Sequence, residues 1–580
     1  MSEQPKMTVR EGMRVAFDLP IAMDDGVVMR ADLFLPLAEG RYPVVLTYGP
    51  YGKGLAFQDG NASAWDHLVA HHPEVLEGST NIHQSWELVD PEKWATEGYA
   101  VLRVDSRGTG RSPGVVDPYS PRETQDLYEC IEWAGVQPWS SGKVGLNGIS
   151  YYAMNAWQVA ALHPPHLSAI VCWEGSSDYY REATHHGGIA SQFLTNWFPR
   201  AVHRSQHGCG ERGFRSRVTG ELVCGPDTLP EEVLEQSRID MVEWIGSRPL
   251  ADRDHRDRSP ELEKVTVPLL STANWGGQGI HTRGNFEGFN RAASTEKWLE
   301  AHGGAHWESF YTGEGVALQK KFLGHYLKGE ATGWEQQPRV SLKIRHVDRF
   351  VERAEKEWPL ARTQWTPFYL DPTDCSLRGT EPKAATQLDF EAMGDGIMFL
   401  TPPLQQDMEI TGPVAAKLRL SSSTTDADVF LVLRVFTPDG KEITFHGSND
   451  PRTPVGLGWL RASHRKLDAG KSLPYRPWHT HDEKQPLTPG QPVDLDVEIW
   501  PTCIVVPRGY RIGLSVRGKD YVYPGPPIVN PRIKYTLTGV GPFLHEDPSD
   551  RPPEIFGGTS TLHFVPGAMP HVLLPVIPAR

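Results

Sequence analysis

The stretch Gly148-Ile149-Ser150-Tyr151-Tyr152-Ala153 puts a serine between a short apolar run, Val144-Gly145-Leu146, and a helical pattern in which Ala153, Ala156, Trp157, Ala160 and Ala161 share one stripe. A serine at a strand-to-helix bend holds its Oγ clear of the sheet, and the helix N-terminus turns backbone N–H groups toward a developing oxyanion. Ser150 is the candidate nucleophile, and the N–H of Tyr151 is a candidate oxyanion donor. A hydroxyl is a weak nucleophile alone; it needs a nearby base, normally a histidine that a carboxylate orients. Late in the same region, Lys297-Trp298-Leu299-Glu300-Ala301-His302-Gly303-Gly304-Ala305-His306-Trp307 ends a strand-like run with two histidines, of which His306 is the candidate base.

The elements that must position these groups follow from periodicity. Up to about residue 350 the apolar runs are continuous: Pro43 to Thr47, Tyr99 to Val104, Val144 to Leu146, Leu167 to Val171 and Val267 to Leu270. Such runs suit strands buried on both faces. Helical stripes alternate with them, one through Leu127, Ile131 and Ala134, another ending at His163-Pro164-Pro165, where proline removes the donors a helix needs. Strands alternating with helices predict an α/β, doubly wound parallel sheet over 1–175 and 263–355. The polar, Arg- and Glu-rich stretch 176–262 breaks the rhythm and is expected as a helical cap insertion. Beyond a boundary between Arg353 and Trp365 the period becomes two, as in Val493, Leu495, Val497 and Ile499 against Asp494, Asp496 and Glu498. Residues 360–580 are therefore expected as an antiparallel all-β jelly-roll sandwich.

Composition narrows the partners. A formal charge of -14 over 580 residues disfavours nucleic acid and anionic membranes, which call for a cationic face. The first twenty residues lack an export-type apolar core and no apolar run approaches 18 residues, so no membrane association and a cytoplasmic address are expected. Six scattered cysteines form no C-x-x-C pair and fit reduced thiols. His203, His207 and Cys209 have ligand-like spacing without a convincing fourth ligand, and Gly108-Thr109-Gly110 is followed by Pro113 where a dinucleotide fingerprint wants its third glycine. Neither a cofactor nor a metal is expected. Trp173, Trp197, Trp275 and Trp307 are candidates to line an apolar acyl pocket, with core packing as their alternative role.

Taken together the residues resemble the CocE/NonD hydrolases, the cocaine esterase and X-prolyl dipeptidyl peptidase relatives within the α/β-hydrolases. Pro20 to Val27 with Ala31-Asp32-Leu33 resembles the family's opening, Asp105-Ser106-Arg107-Gly108-Thr109-Gly110 its Asp-x-Arg-Gly loop, and Ile131-Glu132-Trp133 through Gln137-Pro138-Trp139 its pre-nucleophile helix. The family motif G-x-S-Y-x-G is matched at Gly148 to Ala153, with alanine for the closing glycine. The resemblance implies that Tyr51, in Pro50-Tyr51-Gly52-Lys53, is a second oxyanion donor, and the spacing of the family histidine supports His306 over His302. It also exposes a departure. Relatives carry the triad aspartate in a Gly-Trp-x-Asp segment, whereas Asn274-Trp275-Gly276-Gly277 places Gly277 at the acid. Glu174, at the end of the strand Leu167 to Trp173, is the candidate replacement, with Asp178 as runner-up.

The expected function is a serine esterase or acylase that cleaves an ester or amide bond of a small molecule through an acyl-enzyme. The same residues would serve an acyltransferase or an X-prolyl dipeptidyl aminopeptidase, and a sugar-binding protein with a decayed hydrolase half is the non-enzymatic alternative. A homo-oligomer is compatible with the sequence.

Overall fold

A computed structural model of the chain describes residues 7–528 and 536–579; the first six residues, part of the segment inspected above for a leader, lie outside them. Among the described residues the N-terminal half builds an eleven-stranded sheet from β1 Thr8–Arg10, β2 Met13–Ala22, β3 Val28–Pro36, β4 Tyr42–Gly49, β5 Ala100–Asp105, β6 Ser140–Ile149, β7 Leu167–Trp173, β10 Leu269–Asn274, β11 Lys297–His302, β12 Val340–Arg345 and β13 Phe350–Glu355. A separate two-stranded ribbon, β8 His185–His186 and β9 Ile189–Ala190, lies between β7 and β10. The spatial order is β1-β2-β3-β5-β4-β6-β7-β10-β11-β12-β13, parallel from β5 to β12 and antiparallel at both flanks.

Continuous apolar runs are needed because both faces are covered. Val44, Leu46 and Leu102 pack with Leu127 and Ile131 of the helix Pro121–Gly135 and with Ala153, Ala156 and Trp157 of the helix Tyr151–Ala160. Val45 and Val101, one residue out of phase, enter a second core with Trp94, Phe322 and Leu323. Adjacent strand residues point to opposite faces, so each strand feeds two cores. One strand starts later than its apolar run: Pro268 has no N–H to offer the ladder, and β10 begins at Leu269.

Residues 176–262 fold as short helical segments around the β8–β9 ribbon. Tyr179, Leu194, Phe198, Met241 and Trp244 bury a core against Tyr51, Tyr151 and Tyr152. The segment therefore sits on the residues that flank Ser150.

The C-terminal half is a mostly-sheet domain whose ladder closes into a barrel. Among the described residues its twelve strands run from Gln364–Asp371 to His571–Ile577, and the latter pairs both with Gln364–Asp371 and with Met408–Ser422. Leu495, Val497 and Ile499 face its core. The two halves share an apolar seam in which Trp275, Phe286 and Leu299 meet Cys503 and Ile577. No helix among the described residues is long and apolar enough to cross a membrane.

Candidate active site

β6 ends at Ile149 and the helix Tyr151–Ala160 begins two residues later, which leaves Ser150 to make the whole turn at φ 57° and ψ −108°. That is a strained conformation for a residue with a Cβ. It is held by the Ser150 N–H donating to the Trp173 carbonyl at 2.9 Å, and by the Ser150 carbonyl accepting from the N–H groups of Ala153 and Met154. Gly148 is required on the strand side: a Cβ there would lie 2.6 Å from the Tyr152 Cβ and 3.1 Å from the Glu87 carbonyl oxygen. On the helix side the close approach is met from the other partner. Gly175 faces Ala153, and a Cβ on Gly175 would come within 2.6 Å of the Ala153 Cβ. The missing closing glycine of the motif thus reappears across the contact, next to Glu174.

Ser150, Tyr51, Trp86, Glu87, Trp197, His281 and His306 line one cavity of about 540 Å³. His306 follows β11 and is 6 % exposed. Its Nδ1 lies 2.9 Å from Oε2 of Glu174, which is fully buried, and its Nε2 lies 3.1 Å from Oε1 of Glu87. The other Glu174 oxygen is 3.1 Å from His302 Nε2 and accepts from Asn274 Nδ2 at 3.2 Å. His302 in turn meets Glu300 through Nδ1 at 2.7 Å.

The electrostatics follow from this chain of alternating charges. Burial alone would raise the pKa of Glu174, but His306 and His302 outweigh it and hold the carboxyl down at about 2. Burial likewise opposes charge on His306, yet Glu174 and then Glu87 push it up to about 10. Glu87 is itself raised by burial, against the pull of His306.

The Ser150 hydroxyl is hydrogen-bonded to His281 Nε2 at 3.2 Å, not to His306. The His281 ring stacks on His306, with centroids 5.0 Å apart and planes 13° from parallel. Burial, then the neighbouring His306 charge, drives the His281 pKa well below its ordinary value, and its Nδ1 has no hydrogen-bond partner. His281 is a neutral acceptor that no carboxylate orients.

Tyr51 packs edge-on to Tyr151 and Trp197. Burial, then Glu87, raises its hydroxyl well above the ordinary tyrosine value, so it stays a donor. The Tyr151 ring turns away from the cavity to bond Glu123, while its N–H heads the helix, where no intrahelical carbonyl is available.

The structure thus brings Ser150, His306, Glu174 and Tyr51 to one place, but not Asp178. The carboxylate of Asp178 caps a helical turn and pairs with Arg181 at 2.7 Å. Gly277, where relatives place the acid, is a turn whose carbonyl accepts from the His281 and Thr282 N–H groups. Glu87 and His281 escaped the sequence reading. His281 had a usable signal, since it is a histidine four residues past the absent acid. Glu87 had none: its place depends on its carbonyl accepting from the Ile149 N–H. Of the four tryptophans, Trp197 lines the cavity, Trp173 and Trp275 are core, and Trp307 packs behind His306 against Trp86. His207 and Cys209 bond backbone carbonyls of Gly110 and His203 instead of sharing a ligand site.

Residues 25–308 match the family model for X-Pro dipeptidyl-peptidase (S15 family), and residues 332–550 that for the X-Pro dipeptidyl-peptidase C-terminal non-catalytic domain. Cocaine esterase of Rhodococcus sp. (strain MB1 Bresler) is 26 % identical over 636 residues, covering 97 % of this chain and 98 % of that protein. A putative serine esterase of Mycobacterium bovis is 24 % identical over 86 % of this chain and 90 % of its own length. Among solved structures, a CocE/NonD family hydrolase from Staphylococcus aureus superposes with a TM-score of 0.83 at 29 % identity, covering 98 % of this chain and 94 % of the other.

Proposed function

The chain belongs to the CocE/NonD hydrolase family and is a serine hydrolase of ester or amide bonds, and from that premise we propose that Ser150, His306 and Glu174 are its catalytic triad and that the substrate is a small ester or amide. The observation that carries the assignment is the 2.9 Å contact between His306 Nδ1 and the buried Glu174 carboxylate, in the cavity that Ser150 lines. Glu174 supplies from β7 the orientation and charge that Gly277 cannot.

To act as base, His306 must be neutral, its Nε2 must part from Glu87, and the Ser150 hydroxyl must turn to it from His281. His306 takes the Ser150 proton as Oγ bonds to the acyl carbon, and then delivers that proton to the departing alcohol or amine. Water repeats the sequence to release the acid. The Tyr51 hydroxyl and the Tyr151 N–H stabilise the oxyanion. His281 holds the hydroxyl beforehand; its low pKa makes it a poor proton acceptor.

Exposure to a fluorophosphonate followed by intact-mass measurement is expected to give a single adduct, lost in Ser150→Ala. An adduct that survives in Ser150→Ala would remove the serine from its role. An esterase or acylase is favoured over an X-prolyl peptidase because Glu87, a carboxylate that could meet a peptide ammonium in this cavity, is engaged with His306. Comparing turnover of an aryl ester with that of an X-Pro anilide separates the two.

The same reading takes 1–175 and 263–355 as an α/β-hydrolase domain, 176–262 as its cap and 360–580 as a jelly roll. The six unpaired cysteines support a reducing, cytoplasmic setting.

A further inference from the structure

We propose that His67, His71, Glu308 and His446 form a site for a transition-metal ion of the zinc class, set behind the loop that carries His306. The sequence reading expected no metal. The site lies away from the reacting atoms, and its argument does not depend on the triad.

His67 and His71 are one turn apart on the helix Ala62–His71, so their rings share a face, with centroids 4.1 Å apart. His67 Nε2 lies 2.6 Å from Glu308 Oε1, and one donor atom from each of His67, His71 and Glu308 falls within 4.8 Å of the others. His71 Nδ1 is bonded to the His67 carbonyl oxygen at 2.8 Å, which assigns the ring proton to Nδ1 and leaves a lone pair on Nε2. A carbonyl that fixes the tautomer in this way is the usual second partner of a metal-ligating histidine. The His446 ring stands edge-on to His67, with centroids 5.4 Å apart, outside the three-residue group, and would have to close on it to serve as a fourth donor.

Three imidazoles and one carboxylate suit zinc or cobalt, whereas magnesium and calcium call for oxygen ligands. Zn–N bonds of about 2.05 Å place tetrahedral donors about 3.3 Å apart. The short His67–Glu308 contact must open and the remaining spacings must close. The His67 side chain is 29 % exposed and His71 is exposed, so both can swing.

Such an ion would join three parts of the molecule. The first turn of the helix Ala62–His71 lines the catalytic cavity through Ala62 and Ser63. Glu308 accepts from the Ala305 N–H, and Trp307 Nε1 donates to the Ala64 carbonyl at 3.1 Å, which ties the His306 loop to that helix. His446 comes from the C-terminal half, two residues before Ser448, whose carbonyl accepts the His306 N–H at 2.9 Å. The ion would clamp the loop of the base to both.

The test uses the full chain, stripped with a chelator and then titrated with Zn(II) by calorimetry and with Co(II) by visible absorption. One equivalent should bind, the Co(II) spectrum should show the intense bands of four-coordination, and Zn(II) should raise the melting temperature. His71→Ala, at an exposed helix end, removes a ligand and should weaken binding by about 100-fold or more, beyond the range for losing only a partner that orients a ligand, and remove the thermal shift. Failure of the wild-type chain to bind one equivalent, or undiminished binding in His67→Ala/His71→Ala, overturns the proposal.

Discussion

Two carboxylates contact the His306 ring, one on each nitrogen, and their roles are separable. Glu174→Gln should lower turnover on the order of ten-thousand-fold, as expected when the acid of an assembled triad is neutralised, with little change in KM. Asp178→Asn, which disturbs only a helix cap and the Arg181 pair, should leave turnover nearly intact; equal effects in the two variants would detach Glu174 from the chemistry. Glu87 acts on the other nitrogen by helping to hold the His306 proton. Glu87→Gln should lower the His306 pKa, so its neutral, active form persists to lower pH. The acidic limb of the kcat/KM profile should move down by about one unit or more, and an unmoved limb would show that Glu87 does not titrate with the base. At this scale the sequence was informative where position alone assigns a role. Ser150 sits at a visible bend, His306 follows the strand-like run Lys297–His302, and Glu174 follows β7, the neighbour of the strand that leads into Ser150. Glu87 was invisible because long-range contacts, with the Ile149 N–H, the Tyr311 hydroxyl and His306, bring it to the elbow from a long loop.

The elbow is an element in which small residues stand on opposite sides of one contact, and its tolerance can be read from that pairing. Gly175→Ala drives a methyl into the Ala153 Cβ and should destabilise the chain by about 1–3 kcal/mol, the usual range for overpacking. Ala153→Gly in the same chain should recover part of the loss, because the backbone of Ala153 and Met154 remains within 3.1–3.3 Å of the new Cβ. Thermal melts of the two single variants and the double variant measure the coupling, and strict additivity would refute it. The alternation of strand and helix patterns was plain in the sequence, because both faces of the parallel sheet are covered and its strands must be apolar throughout. Strand ends were less plain. The run beginning at Val267 enters the ladder two residues late, since Pro268 cannot donate, and no periodicity reports that. Ring closure in the C-terminal half was beyond reach as well: alternation reports a wet face and a dry face, not which strand completes the circuit.

At the level of the whole molecule, the two halves are joined by buried polar contacts at the loops that carry the histidines. Gln278 donates to the Pro501 carbonyl and accepts from the Leu457 N–H, and Arg283, 2 % exposed, pairs with Glu182 and with Glu498 of the second half. Arg283→Met leaves the fully buried Glu182 carboxylate without its cation and takes one partner from the partly buried Glu498, and should cost about 3–5 kcal/mol. The pH dependence has a definite sign. Burial already lifts Glu182 to about 7, and Glu498 is also raised. Without Arg283 both pKa values rise further, so the variant's deficit should be smallest at low pH, where the carboxyls are neutral in both states, and grow as pH rises through their folded values. Denaturation series at pH 5 and pH 8 test this, and a deficit that shrinks with pH would contradict it. The strand His571–Ile577 completes the closed ladder, and the half it completes supplies Ser448, which receives the His306 N–H. A nascent polypeptide therefore emerges from the ribosome with its proposed nucleophile some 420 residues ahead of the segment that finishes its scaffold, and it should remain inert toward acyl donors until synthesis is nearly over.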